Sequence, residues 1–309
     1  MILRYVLKRL LMLIPVSISI SVVIFMIIHL LPGDPIDNLI RVGSSPQARA
    51  AISAKYGLDK PLIAQYGIWV WDMVHGDFGE AIVARRPVAD LIGINLPFSL
   101  RLGGLAFAYS TFVGMTLGVL SIVVRRRWME NLVRGSILLG STVPSFWLGL
   151  LLMLSFSVKL AWFPISGAQG WQSLVLPVLT IGFGGVALVA RVTRVALIEA
   201  RREDFVTLLY AKGLSDGKIL FRHLLPHALL PVVTILALRI GWILGGAVTV
   251  EFVFGRPGLG SLLIRALGQR DYPVVEASLL MLALAVMLGT LIGDVAQTAM
   301  DPRIREATA

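Results

Sequence analysis

Long uncharged apolar runs recur along the chain, at Leu10–Leu31, Leu102–Val124, Ile137–Val158 and Trp171–Ala190. A helix needs ~20 mostly apolar residues to span a bilayer. A buried core helix of a large soluble protein would not repeat at this length, so the pattern predicts a polytopic membrane protein. Two further runs are less clean: one contains Arg239, and the other is bounded by Glu276 and Asp294. Together they fit an all-α helical bundle with six transmembrane helices, at 10–31, 98–124, 135–159, 171–198, 230–253 and 277–299.

Polar positions divide the chain into three parts. Residues 1–31 form an N-terminal segment and first span. Residues 32–97 form an extracytoplasmic helical segment. Residues 98–309 form a five-helix transmembrane core with a loop at 200–230. In the middle part, Ser45-Pro46 opens a helix that Gly57 closes, Asp59 to Gly76 reads as a second helix, and Pro87–Ile94 as a third short one. Trp69 and Trp71 suit the headgroup level. Glycines recur four apart at Gly114/Gly118, Gly241/Gly245 and Gly289/Gly293, a spacing that lets helices approach closely in lipid. Pro144 and Pro177 lie inside spans, either as kinks or with their freed carbonyls satisfied by neighbours.

The charge pattern sets the orientation. The chain has a net charge of +10 and 15% charged residues. In a soluble protein such a charge would suggest nucleic acid. Here the bases collect where short cytoplasmic loops would lie: Arg4, Lys8 and Arg9; Arg125, Arg126, Arg127 and Arg134; then Arg191 through Arg222. The positive-inside rule therefore places both termini in the cytoplasm. It predicts Gly57, Arg86 and Gly268 outside and Arg126, Asp216 and Thr308 inside. The first apolar run exceeds a signal peptide's ~7–15-residue core and continues into LPGDP without a small-residue cleavage site, so it reads as a retained span. The absence of cysteine excludes disulfides, thiolate metal sites and cysteine nucleophiles.

Little in the chain supports catalysis. Gly213–Ile219, GLSDGKI, has its glycines too close for a phosphate loop, and Ile219 replaces the magnesium-binding hydroxyl. Any nucleotide would have to bind another chain. His223 and His227 share a helical face but have Pro226 between them and no third ligand. No nucleophile–base pair can be placed. Between the fourth and fifth spans, Tyr210–Pro231 reads as a helix–turn–helix: Asp204 caps a helix to Lys212, Gly213 takes a left-handed position, and Ser215 or Asp216 caps the next helix. Leu214, Ile219 and Leu220 would face a partner groove, with a basic flank setting register. On these residues alone the segment is either a docking device or a connecting loop.

Here the chain resembles the inner-membrane permease subunits of ATP-binding-cassette importers, in the dipeptide/oligopeptide/glutathione/nickel group. Their cytoplasmic loop follows EAA-x3-G-x9-I-x-LP. Gly213 and Leu225-Pro226 fall at that spacing, while His223 takes the isoleucine position and Thr207-Leu208-Leu209 replace EAA. The peptide group's own version of the loop is matched by Asp204-Phe205, Thr207, Ala211-Lys212-Gly213-Leu214-Ser215, His223 and Ala228-Leu229-x-Pro231. LPGDP (31–35), YGLDKP (56–61), GDFG (76–79), RRPVADLI (85–92), RVTR (191–194), EFVFGRPGLG (251–260), RDYPV (270–274) and DPRIR (301–305) extend the resemblance over essentially the whole chain.

The resemblance implies a type I importer permease fold in a bacterial cytoplasmic membrane. Its partners would be a second, similar permease subunit, two ATPase subunits and an extracytoplasmic substrate-binding protein. ATP and magnesium would sit on the ATPases, with no cofactor on this chain. Ala211, Lys212, Gly213, Leu214, Ser215, Asp216, His223, Leu225 and Pro226 would form the coupling loop. Arg85, Arg86, Pro257, Gly258 and Asp271 would form an outer docking surface or gate. Arg239 and Trp242 are candidates for the translocation path, since a mid-bilayer arginine facing lipid costs ~2.5–3.5 kcal/mol or more; a structural salt bridge is the other reading of Arg239. Peptides, glutathione, opines and nickel complexes all fit as substrates. A secondary transporter would want intramembrane carboxylates and an inverted repeat, and a channel a filter motif; the spans are almost free of carboxylates and show no repeat or filter motif.

Overall fold

The computed structural model describes residues 2–30, 47, 54, 59–124 and 127–300. The readings placed on LPGDP, Ser45-Pro46, Gly57, Arg126, DPRIR and Thr308 lie outside them. Among the described residues the chain is helical, apart from an isolated antiparallel bridge between Glu80 and Pro87. The helices are α1 (Ile2–Leu30), α2 (Leu62–Val74), α3 (Val88–Val123), α4 (Arg127–Thr142), α5 (Ser145–Leu152), α6 (Gln172–Ala200), α7 (Asp204–Ala211), α8 (Asp216–Ile219), α9 (Leu225–Val253), α10 (Leu259–Gln269) and α11 (Tyr272–Met300).

Among the described residues, five helical stretches are long and apolar enough to cross a membrane: Val6–Ile27, Val88–Val123, Gln172–Ala200, Asp216–Ile243 and Tyr272–Thr298. The remaining expected span, 135–159, is not one helix. Proline lacks an N–H and pushes the preceding residue toward extended backbone. Accordingly α4 ends at Thr142, Pro144 is extended (φ −61°, ψ 135°), and α5 restarts at Ser145 before widening into a π-helical turn over Met153–Lys159. Pro177 and Pro231 leave α6 and α9 continuous. The expected short helix at Pro87–Ile94 does not stand apart either. It is the first part of α3, which runs through Pro97 because Ile92 before it and Leu102 after it are both buried.

The chain forms two compact units. The first comprises Met1–Leu10, Leu100–Arg256 and Val286–Ala309 and is built around α6. Glycines set its closest approaches. Cβ atoms added at Gly114 and Gly118 of α3 would fall 2.7 and 2.6 Å from Cβ of Val189 and Thr193 on α6. Gly140 of α4 meets Ala187 in the same way. On α9, Gly241 faces Thr290 and Val286 of α11, whose Gly289 and Gly293 meet Ile240 and Ala237 in return. The four-residue glycine spacing therefore marks real seams, as small residues do in lipid. Gly245 is the exception: it is exposed, with open space around it.

The second unit comprises Leu11–Ser99 and Pro257–Ala285. Its core joins Ile24, Val88, Ile92, Leu259, Leu263, Val274 and Val275. Tyr66 and Trp69 of α2 pack on Phe25 of α1, and the hydroxyls of Tyr66 and Ser21 are 2.8 Å apart.

Candidate coupling segment, outer turn and membrane arginine

The helix–turn–helix forms between α6 and α9. Glu203 rather than Asp204 is the extended residue before α7, and Asp204 opens the helix. The chain leaves α7 through Gly213 at φ +72°, the left-handed geometry that glycine adopts without steric cost. Its N–H reaches the Tyr210 carbonyl at 2.8 Å, and Leu214 N–H reaches Leu209 at 3.3 Å. Ser215 precedes α8 without a side-chain cap, and the Tyr210 hydroxyl donates to Asp216 Oδ1 at 3.0 Å. A π-helical turn, Leu220–Leu224, then leads into α9, where Pro226 occupies the first turn, a position that needs no N–H.

The apolar face of this segment points the other way from the expectation. Ile219 is 1% exposed, in a cluster with Ala196, Leu197, Ala200, Val206, Leu224 and Ala228. Leu214, Leu220 and Leu225 pack against the same cluster. Burying Ile219 stabilises by roughly 1.5–3 kcal/mol, which ties the segment to the ends of α6 and α9. Leu208, Tyr210, Ala211, Lys212, Lys218, Phe221 and Arg222 are left exposed. His223 is half-buried, and His227 packs its ring on Phe205 at 5.7 Å. Among the described residues, no group of three or more His, Cys, Asp or Glu side chains gathers as a metal site would require.

The residues expected on an outer surface separate into two kinds. Arg85 and Arg86 are exposed on a tight turn, with Arg85 at φ +49°. Asp271 is 3% exposed and faces inward, so it cannot itself present a docking surface. Its carboxylate accepts the N–H groups of Ile82 (3.1 Å) and Val83 (3.0 Å), clamping the turn that carries the arginines. Gly258 is buried too and Pro257 half-buried. Gly258 N–H donates to Asn95 Oδ1 at 3.0 Å and Leu259 N–H to Ser99 Oγ at 2.8 Å. Two side chains of α3, four residues apart, thus satisfy the first orphan donors of α10.

Arg256, in the same EFVFGRPGLG stretch, is 2% exposed. Its Nη1 donates to Gly167 O (3.2 Å), Ser173 O (2.9 Å) and Ser173 Oγ (3.1 Å), fixing the turn before α6 to the end of α9. Burial pushes this guanidinium below its ordinary value, and the Glu251 charge acts in the opposite direction.

Arg239 of α9 lies against α6, where a Cβ at Gly185 would fall on its guanidinium. No carboxylate among the described residues pairs with it. Trp242, the other expected path residue, is 83% exposed.

Among the described residues, an all-α fold with several bilayer-length apolar helices is that of a multi-pass membrane protein. The chain matches the family described as "Binding-protein-dependent transport system inner membrane component" over residues 110–306, and its N-terminal counterpart over 2–99. It belongs to this family of ABC importer inner-membrane permeases. It is 40% identical over 303 residues to the glutathione transport system permease protein GsiC of Escherichia coli (strain K12), covering 98% of this chain and 99% of that one. The GsiC protein of Salmonella typhimurium is 39% identical over the same length. Among solved structures, the inward-facing MetNI methionine ABC transporter aligns over 68% of this chain and 96% of its own, with a TM-score of 0.56 and 20% identity, a likeness of fold.

Proposed function

We propose that this permease forms half of the membrane pathway of an ATP-driven importer for small peptides or peptide-like solutes, glutathione first among them, and is switched by an ATPase subunit docking on Asp204–Pro226. The carrying observation is the coupling segment. Its apolar residues are sunk into the ends of α6 and α9 while Leu208, Tyr210, Phe221 and a set of bases stay outward, so a push on the exposed face is transmitted to two membrane helices. The full assembly adds a second, similar permease, two ATPases that hold ATP and magnesium, and a binding protein that delivers solute. The match to GsiC supports the substrate class. Both termini lie in the cytoplasm on this reading. The 3.2 Å pair between Arg9 near the start of α1 and Asp294 near the end of α11 supports their sharing one face.

Gly213→Val tests the coupling. Nothing lies within 4 Å of a Cβ there, so the substitution acts on the backbone alone. Holding a non-glycine residue left-handed costs ~1 kcal/mol or more. The variant should insert normally yet lose substrate-stimulated ATP hydrolysis and glutathione uptake together in proteoliposomes carrying the full importer. Normal uptake with normal ATPase docking would make the segment a connecting loop.

A further inference from the structure

The coupling segment and the clamped turn leave Arg239 unexplained. It lies ~12 Å along α9 from Pro231 at ~1.5 Å per residue, within the apolar stretch Asp216–Ile243. Its Nη1 is buried, with no hydrogen-bond partner among the described residues. An unpartnered guanidinium at this depth is unfavourable whether it meets lipid or packed protein. Yet α6 is shaped to receive it: Gly185 is bare where any side chain would collide with the guanidinium. Beside it, α9 turns Leu238, Trp242 and Gly245 outward, and Gly245 has open space around it. The half-exposed guanidinium can still offer a charge-assisted N–H to a carboxylate through a donor other than the buried Nη1. The Trp242 indole, three residues on and so on the adjoining face of α9, offers an apolar plate for the rest of a small solute.

We propose that Arg239, seated on Gly185 and flanked by Trp242, is a carboxylate-recognition residue of the translocation path. This rests on the peptide-like-solute reading and adds the group recognised: a free carboxylate of the solute.

Two measurements on the assembled importer test it. The chain has no native cysteine, so label on this subunit, separated from its partners after the reaction, reports Trp242→Cys alone. With each rate normalised to that reagent's rate on a free thiol, an anionic methanethiosulfonate should modify it roughly tenfold faster than a cationic one, and Arg239→Gln should abolish that preference. A cysteine inert to both reagents, or one without charge preference, overturns the proposal whatever the substrate is. In proteoliposomes, Arg239→Gln should lower glutathione uptake roughly tenfold or more while ATPase co-purification stays normal. Arg239→Lys should restore part of the uptake. Gly185→Ala, which favours the helix but displaces the guanidinium, should reproduce the defect. Loss of co-purification in Arg239→Gln would instead assign Arg239 to an ion pair with a neighbouring subunit and overturn the proposal. A wild-type importer that moves no glutathione removes that substrate, and the labelling result still decides the role of Arg239.

Discussion

The segment Asp204–Leu224 and the turn Gly79–Pro87 each hold charged residues outward on a tight, partly left-handed backbone, but they are anchored by different physics. Gly213 and Arg85 supply the positive φ angles. The first segment is held by Ile219 and its apolar neighbours. The second also has buried apolar residues at its ends, Ala81 and Val88, and its own backbone bonds, but it adds two hydrogen bonds to one buried carboxylate from a residue distant in sequence. Apolar burial is non-directional and spread over many contacts, so the first anchor tolerates small changes of shape. A carboxylate clamp is directional, so it adds a preference for one geometry of the turn. On the proposed function, the first anchor suits a lever that moves with its helices, and the second orders the turn that carries Arg85 and Arg86.

The largest effect expected from this contrast is that of Ile219→Asp. It puts a charge into a site 1% exposed with no cationic partner in the cluster, which costs several kcal/mol (roughly 3 or more). The segment should detach, with ATPase co-purification lost while the membrane helices remain inserted. Ile219→Val, which removes one methylene, costs only ~0.5–1.5 kcal/mol and should leave co-purification intact. Equal outcomes for the two would mean that the segment is not held by its apolar face.

Asp271→Ala comes next. It leaves the part-buried N–H groups of Ile82 and Val83 without their acceptor, at about 0.5–1.5 kcal/mol for each bond. Limited proteolysis should show new cleavage near Val83–Arg86, with ATPase co-purification unchanged. Asp271→Asn keeps one carbonyl acceptor and should give an intermediate cleavage rate. An unaltered digestion pattern in Asp271→Ala would remove the clamp from the account of this turn.

The two anchors also differ in how far they were legible beforehand. Apolar run length predicts the membrane helices because the requirement is local and one-dimensional. The left-handed turn at Gly213 is local too. The inward face of the coupling segment was not legible: α8 covers four residues, Asp216–Ile219, too short for any periodicity to say which side is buried. The inward roles of Asp271, Asn95 and Ser99 depend on partners far away in the chain, and no spacing rule connects them. The prolines show the same limit. Pro97 and Pro144 look alike in sequence, but buried Ile92 and Leu102 hold α3 through the first, whereas the second starts a new helix. Arg239 was conspicuous as a lone charge in an apolar run, whereas its seat on Gly185 is a tertiary fact.

The smallest expected effect is that of Tyr210→Phe, which sharpens the comparison within the apolar-anchored segment itself. The Tyr210 hydroxyl bridges α7 to α8 through Asp216 at 3.0 Å, across the turn made by Gly213. Both residues are exposed, and water replaces much of what such a bond contributes, so its loss should cost no more than ~0.5–1 kcal/mol. If apolar burial is the main anchor, Tyr210→Phe should leave assembly intact and reduce substrate-stimulated ATP hydrolysis less than twofold. The ring itself stays, so its exposed apolar surface remains for the ATPase. Tyr210→Ala removes that surface as well and should reduce hydrolysis further. A Phe variant as defective as Gly213→Val would show that the hydrogen bond across the turn, rather than the Ile219 cluster, sets the angle between α7 and α8. The segment would then resemble the Asp271-clamped turn after all, and the distinction between the two anchors would fail.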